Sequence, residues 1–284
     1  MPIELQAGAT RCLVLPAVGG AVAGLWWHGV PVLRCTPWAD IASPRQSGAF
    51  SLLPYSNRIG HGRLHWNGTV HTLQGPAGDA PHTIHGVGWQ RPWQVIYQTP
   101  DQLHMRLQHA GDAAWPFAFE AVQQLQLHAD GLAWSLALRN QAAQTVPAGV
   151  GWHPYFVKRP GAQLRFSANR QWQAQADCLP TVPLPWQHSG EAIACAAWQT
   201  DHCFDGWDGC ADLHDESLQI RLQSNLSRLA VFTAPQLPFV ALEPVSHVHN
   251  ALQLVADGRL PAPGMAVLAP GETLSGAARM HIQF

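Results

Sequence analysis

The stretch LQLHADGLAWSLAL, residues 125–138, decides the fold class of this chain. Apolar residues alternate with other residues on both sides of Asp130-Gly131, with a period of two rather than 3.6. Alternation of this kind is typical of strands with one buried face, and Asp-Gly is a strong hairpin-turn signal. The stretch therefore predicts two antiparallel strands joined by a two-residue turn.

The same period continues along the rest of the chain. Asn67-Gly68 lies between the apolar residues of 64–66 and 70–73, which predicts a second hairpin. Further strands are expected over 218–222, 229–233, 239–243, 265–268 and 276–284. We predict that residues 1–284 form a single all-β domain, built of many antiparallel strands with long loops.

Helical signals are poor, because 23 Pro and 25 Gly are spread along the sequence. The best candidate for a short helix is the segment 191–200. The Pro-rich stretch 179–186 is predicted to form an excursion on the surface of the same domain.

Composition and charge exclude several classes of partner. The formal net charge is −2, and 12% of residues are charged, against about 25% in ordinary domains. A basic surface for nucleic acid or anionic lipid is therefore not expected. No apolar run is long enough to span a membrane, so no membrane partner is expected. The sequence leaves the choice between a monomer and a homodimer open.

Cysteine usage favours a reducing compartment. The 6 Cys show neither a CxxC motif nor the regular spacing of a disulfide framework or a zinc site. A bridge would be conceivable only between Cys203 and Cys210, which fall in one predicted loop. Residues 1–16 lack the basic and apolar regions of a signal peptide. We therefore expect a soluble, cytoplasmic protein.

Catalytic motifs of several large enzyme classes are absent from the sequence, namely GxSxG, the Walker loop and a GxGxxG after a strand. Five segments remain that combine polar residues with apolar, Gly or Pro neighbours. They are 54–59, 83–86, 151–156, 200–207 and 242–244.

Glu243 and His153 are candidates for proton transfer. Glu243 ends a predicted apolar strand, so it is either a carboxylate emerging into solvent or a general base with a shifted pKa. His153 lies among aromatic residues, and taken alone it fits a packed core histidine better than a catalyst. His82 and His85 could supply two metal ligands, but no acidic or Cys pair completes a site, so no metal is expected.

Taken together and in this order, the segments resemble the aldose 1-epimerase (galactose mutarotase) family, from about Phe50 to Glu272. The resemblance rests on Asn57-Arg58-Ile59-Gly60, His85-Gly86, His153-Pro154-Tyr155-Phe156, Asp201 ahead of Phe204, Glu243-Pro244, and the turn 268–272.

The resemblance implies a large twisted antiparallel β-sandwich, called a supersandwich, that uses no metal or organic cofactor. It implies an isomerase whose substrate is a monosaccharide, with Glu243 as general base and His153 as general acid. It makes Arg58, His85 and Asp201 sugar ligands and puts Asn57 and Tyr155 at the edge of that set. Asp205 and Asp208 follow Asp201 in the same predicted loop. If Glu243 and His153 lie close together, their opposite charges would favour both ionised forms.

Three other functions remain open. A mutarotase of a sugar 6-phosphate would need basic residues for the phosphate, and Arg91, Lys158 and Arg159 are scattered candidates. A non-catalytic sugar-binding protein would need neither Glu243 nor His153. A glycoside hydrolase would need a second carboxylate beside the scissile bond.

Overall fold

The computed structural model describes residues 1–76, 78–256 and 264–284, and almost all of its regular structure is β-strand. The strands are β1 Ile3–Ala7, β2 Thr10–Leu15, β3 Ala21–Trp27, β4 Val30–Pro31, β5 Ser51–Leu52, β6 Arg58–Ile59, β7 Arg63–Trp66, β8 Thr69–Thr72, β9 Thr83–Ile84, β10 Gln94–Gln98, β11 Gln102–His109, β12 Phe119–His128, β13 Gly131–Asn140, β14 Val146–Ala148, β15 Gly151–Trp152, β16 Tyr155–Val157, β17 Gln163–Phe166, β18 Arg170–Ala174, β19 Pro180–Pro185, β20 Ala192–Ala194, β21 Thr200–Asp205, β22 Cys210–His214, β23 Gln219–Ser224, β24 Arg228–Thr233, β25 Phe239–Val245, β26 Ala266–Leu268 and β27 Thr273–Gln283. The helix α1 is Ala251–Ala256, and short 3-10 turns cover Trp38–Asp40, Pro44–Gln46, Gly60–Gly62 and Gly88–Gln90.

Two large antiparallel sheets form the body of the molecule. A nine-stranded sheet has the order β10-β11-β12-β13-β27-β23-β22-β17-β20. An eight-stranded sheet has the order β19-β18-β21-β24-β25-β15-β5, and β16 also pairs with β25. A four-stranded sheet has the order β1-β2-β3-β4. Three two-stranded sheets pair β14 with β26, β6 with β9, and β7 with β8. The all-β antiparallel prediction is confirmed.

The inner faces of the two large sheets share one core. Leu125 and Leu136 of the nine-stranded sheet belong to the same buried cluster as Leu242 of the eight-stranded sheet. The rings of Trp134 and Trp152 stack across the interface with centroids 6.3 Å apart. Burial of apolar side chains from both sheets is the main force that holds a sandwich together.

The predicted hairpins are present, as β12–β13 and β7–β8. In the first hairpin the turn residues are Ala129 and Asp130, because Gly131 already pairs with His128. Gly131 has φ 149°, and a Cβ there would overlap the carbonyl of Met280 on β27. The glycine is therefore required by the close approach of a neighbouring strand. The strands expected over 218–222, 229–233 and 265–268 are present as β23, β24 and β26, and β27 covers the closing segment.

One local prediction was wrong, and one helix was not predicted. The segment 191–200 contains the strand β20 and the start of β21 instead of a helix, because pairing with β17 and β24 overrides local preference. Pro180–Pro185 forms the edge strand β19, a place in a sheet that tolerates proline. No local pattern in the sequence had indicated the helix α1.

Cys203 and Cys210 do not share a loop, because they lie in β21 and β22 of different sheets. All six cysteines are free thiols. Within the described ranges, no helix is both long enough and apolar enough to cross a membrane.

Candidate active site

The site lies on the face of the eight-stranded sheet that points away from the shared core. Along β25, Val240 and Leu242 belong to the shared core, whereas Ala241 and Val245 pack in a second buried cluster on the opposite face. Because side chains alternate along a strand, Glu243 also points to that opposite face. The sequence had suggested that Glu243 ends the strand. The strand instead continues through Pro244 to Val245.

Strand pairing brings Glu243 and His153 together. β25 pairs with β15 on one side of Glu243 and with β16 on the other, and His153 lies in the gap between those two short strands. His153 Nε2 is 3.0 Å from Glu243 Oε1. The two residues, here called the buried pair, are only 5% and 2% exposed.

Burial controls the protonation of the buried pair. Burial lowers the pKa of His153 to about 3, and the charges of Arg34 and Arg45 add to the effect. Burial also raises the pKa of Glu243 well above its ordinary value, and the charge of Asp201 acts in the same direction. The free site therefore favours a neutral imidazole beside a protonated carboxyl. Proximity is as expected, but desolvation outweighs the mutual attraction that would have favoured the ionised forms.

Aromatic rings fix the orientation of the His153 imidazole. Phe50 stacks on it with centroids 4.9 Å apart and an interplanar angle of 22°. Tyr155 lies 4.3 Å away at a tilt, and His85 meets the imidazole edge-on at 5.2 Å. Two of these neighbours, His85 and Tyr155, are among the residues that the sequence nominated.

Arg58 and Asp201 form a second, more open contact, here called the exposed pair. Arg58 Nη1 is 3.6 Å from Asp201 Oδ2, and the side chains are 22% and 34% exposed. Asp201 lies in strand β21 and not in a loop. Both charges reach Glu243, since Asp201 raises the pKa of that carboxyl and Arg58 lowers it. Asp205 is occupied elsewhere, by Arg170 and Arg228.

Asn57 and His85 support Arg58. Asn57 Oδ1 accepts hydrogen bonds from the backbone N–H of Arg58 at 2.9 Å and from its Nη1 at 3.2 Å. His85 Nδ1 accepts the backbone N–H of Asn57 at 3.1 Å. Asn57 and His85 both have positive φ, at 55° and 65°. Strained backbone of this kind is concentrated at functional sites, where the surroundings hold it in place.

Tyr155 lies beside the buried pair and is itself buried. The Arg34 guanidinium lies over the Tyr155 ring, 3.9 Å from its centroid. Burial raises the pKa of the Tyr155 phenol to about 12, so it stays protonated at neutral pH. The tyrosine therefore packs between His153 and Arg34.

Several buried polar atoms in this region have no hydrogen-bond partner among the described residues. They include Glu243 Oε2, His153 Nδ1 and His249 Nε2. Buried polar atoms of folded proteins are normally paired, so unpaired ones mark places where a polar ligand can bind. A sugar, which carries many hydroxyl groups, has the right chemistry to pair them.

A family model described as aldose 1-epimerase matches residues 1–281. The chain belongs to the aldose 1-epimerase family. In sequence it is 28% identical over 283 residues to the Escherichia coli K12 protein YphB, described as uncharacterized, with 94% of this chain and 93% of that protein covered.

Solved structures share the fold. A crystal structure from Escherichia coli K12, which carries a provisional aldose 1-epimerase assignment, superposes with a TM-score of 0.90 at 24% identity and covers 100% of this chain and 99% of that one. The galactose 1-epimerase of Lactobacillus acidophilus NCFM superposes with a TM-score of 0.80 at 13% identity, covering 99% and 94%. These likenesses confirm the predicted galactose mutarotase-like β-sandwich, the supersandwich.

Sequence reasoning missed Arg34, Arg45 and the role of the segment after Glu243. The two arginines act on His153 through their charges, yet no short motif sets them apart from surface arginines. His247 and His249 carried a visible signal, because they closely follow Glu243-Pro244. His82 and His85 each accept a backbone N–H at Nδ1. In the part of the chain that the structure describes, no three His, Cys, Asp or Glu residues are arranged to hold a metal.

Proposed function

We propose that this protein is an aldose 1-epimerase that interconverts the α and β anomers of a free aldose, with Glu243 as general base and His153 as general acid. The observation that carries the proposal is the buried pair, with 3.0 Å between Nε2 and Oε1. Glu243 Oε2 has no partner among the described residues, so it is available to a sugar hydroxyl.

The reaction needs one proton removed and one proton added. The Glu243 carboxylate takes the proton of the anomeric hydroxyl while the bond between C1 and the ring oxygen breaks. The ring oxygen receives a proton from the His153 imidazolium. Rotation about C1–C2 of the open aldehyde and closure from the other face give the other anomer, with both proton transfers reversed.

Burial assists the middle of this cycle. Ring opening leaves Glu243 protonated and His153 neutral, which are the forms that desolvation favours. To start a cycle, the single proton of the buried pair moves from the carboxyl to the imidazole along their hydrogen bond. Polar groups of the bound sugar stabilise the resulting charges, because they replace the missing solvation.

The exposed pair is suited to binding. Arg58 and Asp201 can each form charge-assisted hydrogen bonds with sugar hydroxyls, which are about twice as strong as neutral ones. Asn57, His85 and Tyr155 hold Arg58 and His153 in place.

We also propose that residues 1–284 act as one domain, because one core cluster includes both Leu5 and Ile282. A reducing, cytoplasmic setting is supported by the six free cysteines.

A free aldose is favoured over a sugar phosphate because the nominated phosphate ligands are engaged elsewhere. Arg91 pairs with Asp112, Arg159 pairs with Asp215, and Lys158 Nζ donates to the carbonyl of Ala234. Near His153, Arg45 is paired with Asp79.

The test is anomer exchange measured by NMR on a panel of free aldoses, with glucose and galactose compared with their 6-phosphates. We expect acceleration of exchange for at least one free aldose, with no loss in EDTA. Exchange of the phosphates alone would favour the phosphate reading. Tight sugar binding without any acceleration would favour a non-catalytic binding protein.

A further inference from the structure

The segment 56–61, which carries Arg58, is held by an unusual set of hydrogen bonds. Three of its backbone N–H groups donate hydrogen bonds to nitrogens of buried imidazoles. An imidazole nitrogen can accept such a bond only when the ring is neutral. The bonds are Ser56 to His247 Nε2 at 3.0 Å, Asn57 to His85 Nδ1 at 3.1 Å, and His61 to His82 Nδ1 at 3.0 Å.

His247 is fixed in the tautomer that can accept. Its Nδ1 is 2.7 Å from the carbonyl of Val248, so Nδ1 carries the hydrogen and Nε2 carries the lone pair that Ser56 uses. The residue is 1% exposed. Burial lowers the pKa of His247 to about 4, so the ring stays neutral at physiological pH.

Gly149 leaves the space that the His247 imidazole occupies. A Cβ added at Gly149 would overlap Cδ2 and Nε2 of His247. Gly149 also donates its N–H to the carbonyl of Pro54, close to the start of the same segment. Position 149 therefore has to be glycine for the imidazole to lie against the 56–61 segment.

The segment 247–250 links the strand of Glu243 to the segment of Arg58. It follows β25, which ends at Val245. Besides the bond from Ser56 to His247, Asn250 donates its N–H to the carbonyl of Arg58 at 2.9 Å. Asn250 Oδ1 accepts the N–H of Gly60 at 2.9 Å. These bonds set where Arg58 stands relative to Glu243 and Asp201.

We infer that His247 is a positioning residue for sugar binding, which acts through Arg58 without touching the substrate. This inference rests on the proposed function, since it assumes that Arg58 binds the sugar. His247 uses the chemistry of a neutral imidazole as a hydrogen-bond acceptor and takes no proton during the reaction.

The first experiment compares His247→Leu with two other variants. His247→Leu removes the nitrogen that accepts the Ser56 N–H. Gly149→Ala keeps the His247 imidazole but pushes it away from the segment. We expect both to raise KM about tenfold with a smaller change in kcat, because binding depends on where Arg58 lies. The matched control is His109→Leu, a buried histidine of β11 in the nine-stranded sheet that bonds the carbonyl of Trp115 and no backbone group of the 56–61 segment. It should lower the melting temperature without changing KM.

The second experiment is a double-mutant cycle with Arg58→Met. If His247 acts through Arg58, His247→Leu should raise KM no further in that background. Multiplying effects, or an unchanged KM in His247→Leu, would overturn the inference.

Hydrogen exchange of the peptide containing Ser56 and Asn57 provides a readout independent of activity. Exchange should speed up in His247→Leu and Gly149→Ala but not in His109→Leu. If the wild-type protein did not accelerate the interconversion of anomers, the proposed function would fail. Separately, an unchanged rate of amide hydrogen exchange in the peptide containing Ser56 would refute the role of His247.

Discussion

The buried pair and the exposed pair lie on the same face of the eight-stranded sheet, yet they differ in their surroundings. Glu243 and His153 are 3.0 Å apart with side chains 3% and 7% exposed, whereas Arg58 and Asp201 are 3.6 Å apart and 22% and 34% exposed. Desolvation shifts the pKa of both members of the buried pair strongly toward neutral forms. Solvent around the exposed pair screens its charges and leaves them available for hydrogen bonds.

Under the proposed function, one sheet face separates two tasks. Groups that exchange protons need pKa values that their surroundings can move, and burial provides this. Groups that hold a polar substrate need permanent charge within reach of the ligand. The cross-strand register fixes the first pair, and the strand β6 within the segment 56–61 presents Arg58 of the second.

The largest expected effect follows from Glu243→Gln, which keeps the shape of the buried pair but removes the base. We expect kcat to fall about 10³-fold, because general acid–base groups contribute about 10²–10⁴-fold. KM should change little. Polarimetry with a freshly dissolved anomer measures the rate, and His153→Gln should behave similarly. A wild-type rate in Glu243→Gln would remove the proton-transfer role from the buried pair.

Acid pH should destabilise the fold through the buried His247. The pKa of His247 is about 4 in the fold and 6.5 ordinarily, so the unfolded chain binds more protons between these values. Its contribution, about 3 kcal/mol at roughly 1.4 kcal/mol for each pKa unit, is full above pH 6.5 and is lost as pH falls toward 4.

Glu243 acts in the opposite direction, because its raised pKa gives stability that is full at low pH and is lost as pH rises. Comparing wild type with His247→Leu isolates the histidine contribution. Thermal unfolding measured from pH 7 to pH 4 should show a smaller acid loss in the variant. Equal losses in both proteins would contradict the assignment of that loss to His247.

The smallest expected effects come from the exposed pair. Arg58→Met and Asp201→Asn should each raise KM about tenfold, since each loses a hydrogen bond from a charged group to a sugar hydroxyl. The change in kcat should be smaller than in Glu243→Gln. A loss confined to kcat would place these residues with the buried pair instead.

Local sequence pattern predicted much of the fold. The alternation in 125–138 and the Asn67-Gly68 turn located two hairpins because both signals act over a few neighbouring residues. The short helix predicted over 191–200 failed because pairing with distant strands decided that segment. For the same reason Asp201, expected in a loop, lies in a strand that pairs with β24.

The sequence predicted which residues belong to the candidate site better than it predicted their protonation or their supporting contacts. The resemblance nominated Glu243, His153, Arg58, His85, Asp201, Asn57 and Tyr155, and the structure brings these residues into one region. The sequence carried no sign that Arg34 and Arg45 act on His153, and the position of His247 after Glu243-Pro244 did not show that it holds the segment of Arg58. Those relations depend on contacts between parts of the chain that are far apart in sequence.

The sequence by itself determined that the chain is all-β, because a period of two buries one face of each strand whatever its partners are. It also determined which polar side chains were available for chemistry. Only the tertiary structure decided that Glu243 on β25 faces His153, which lies in the gap between β15 and β16. It alone decided their protonation, because desolvation comes from the residues packed around a group and not from its neighbours along the chain.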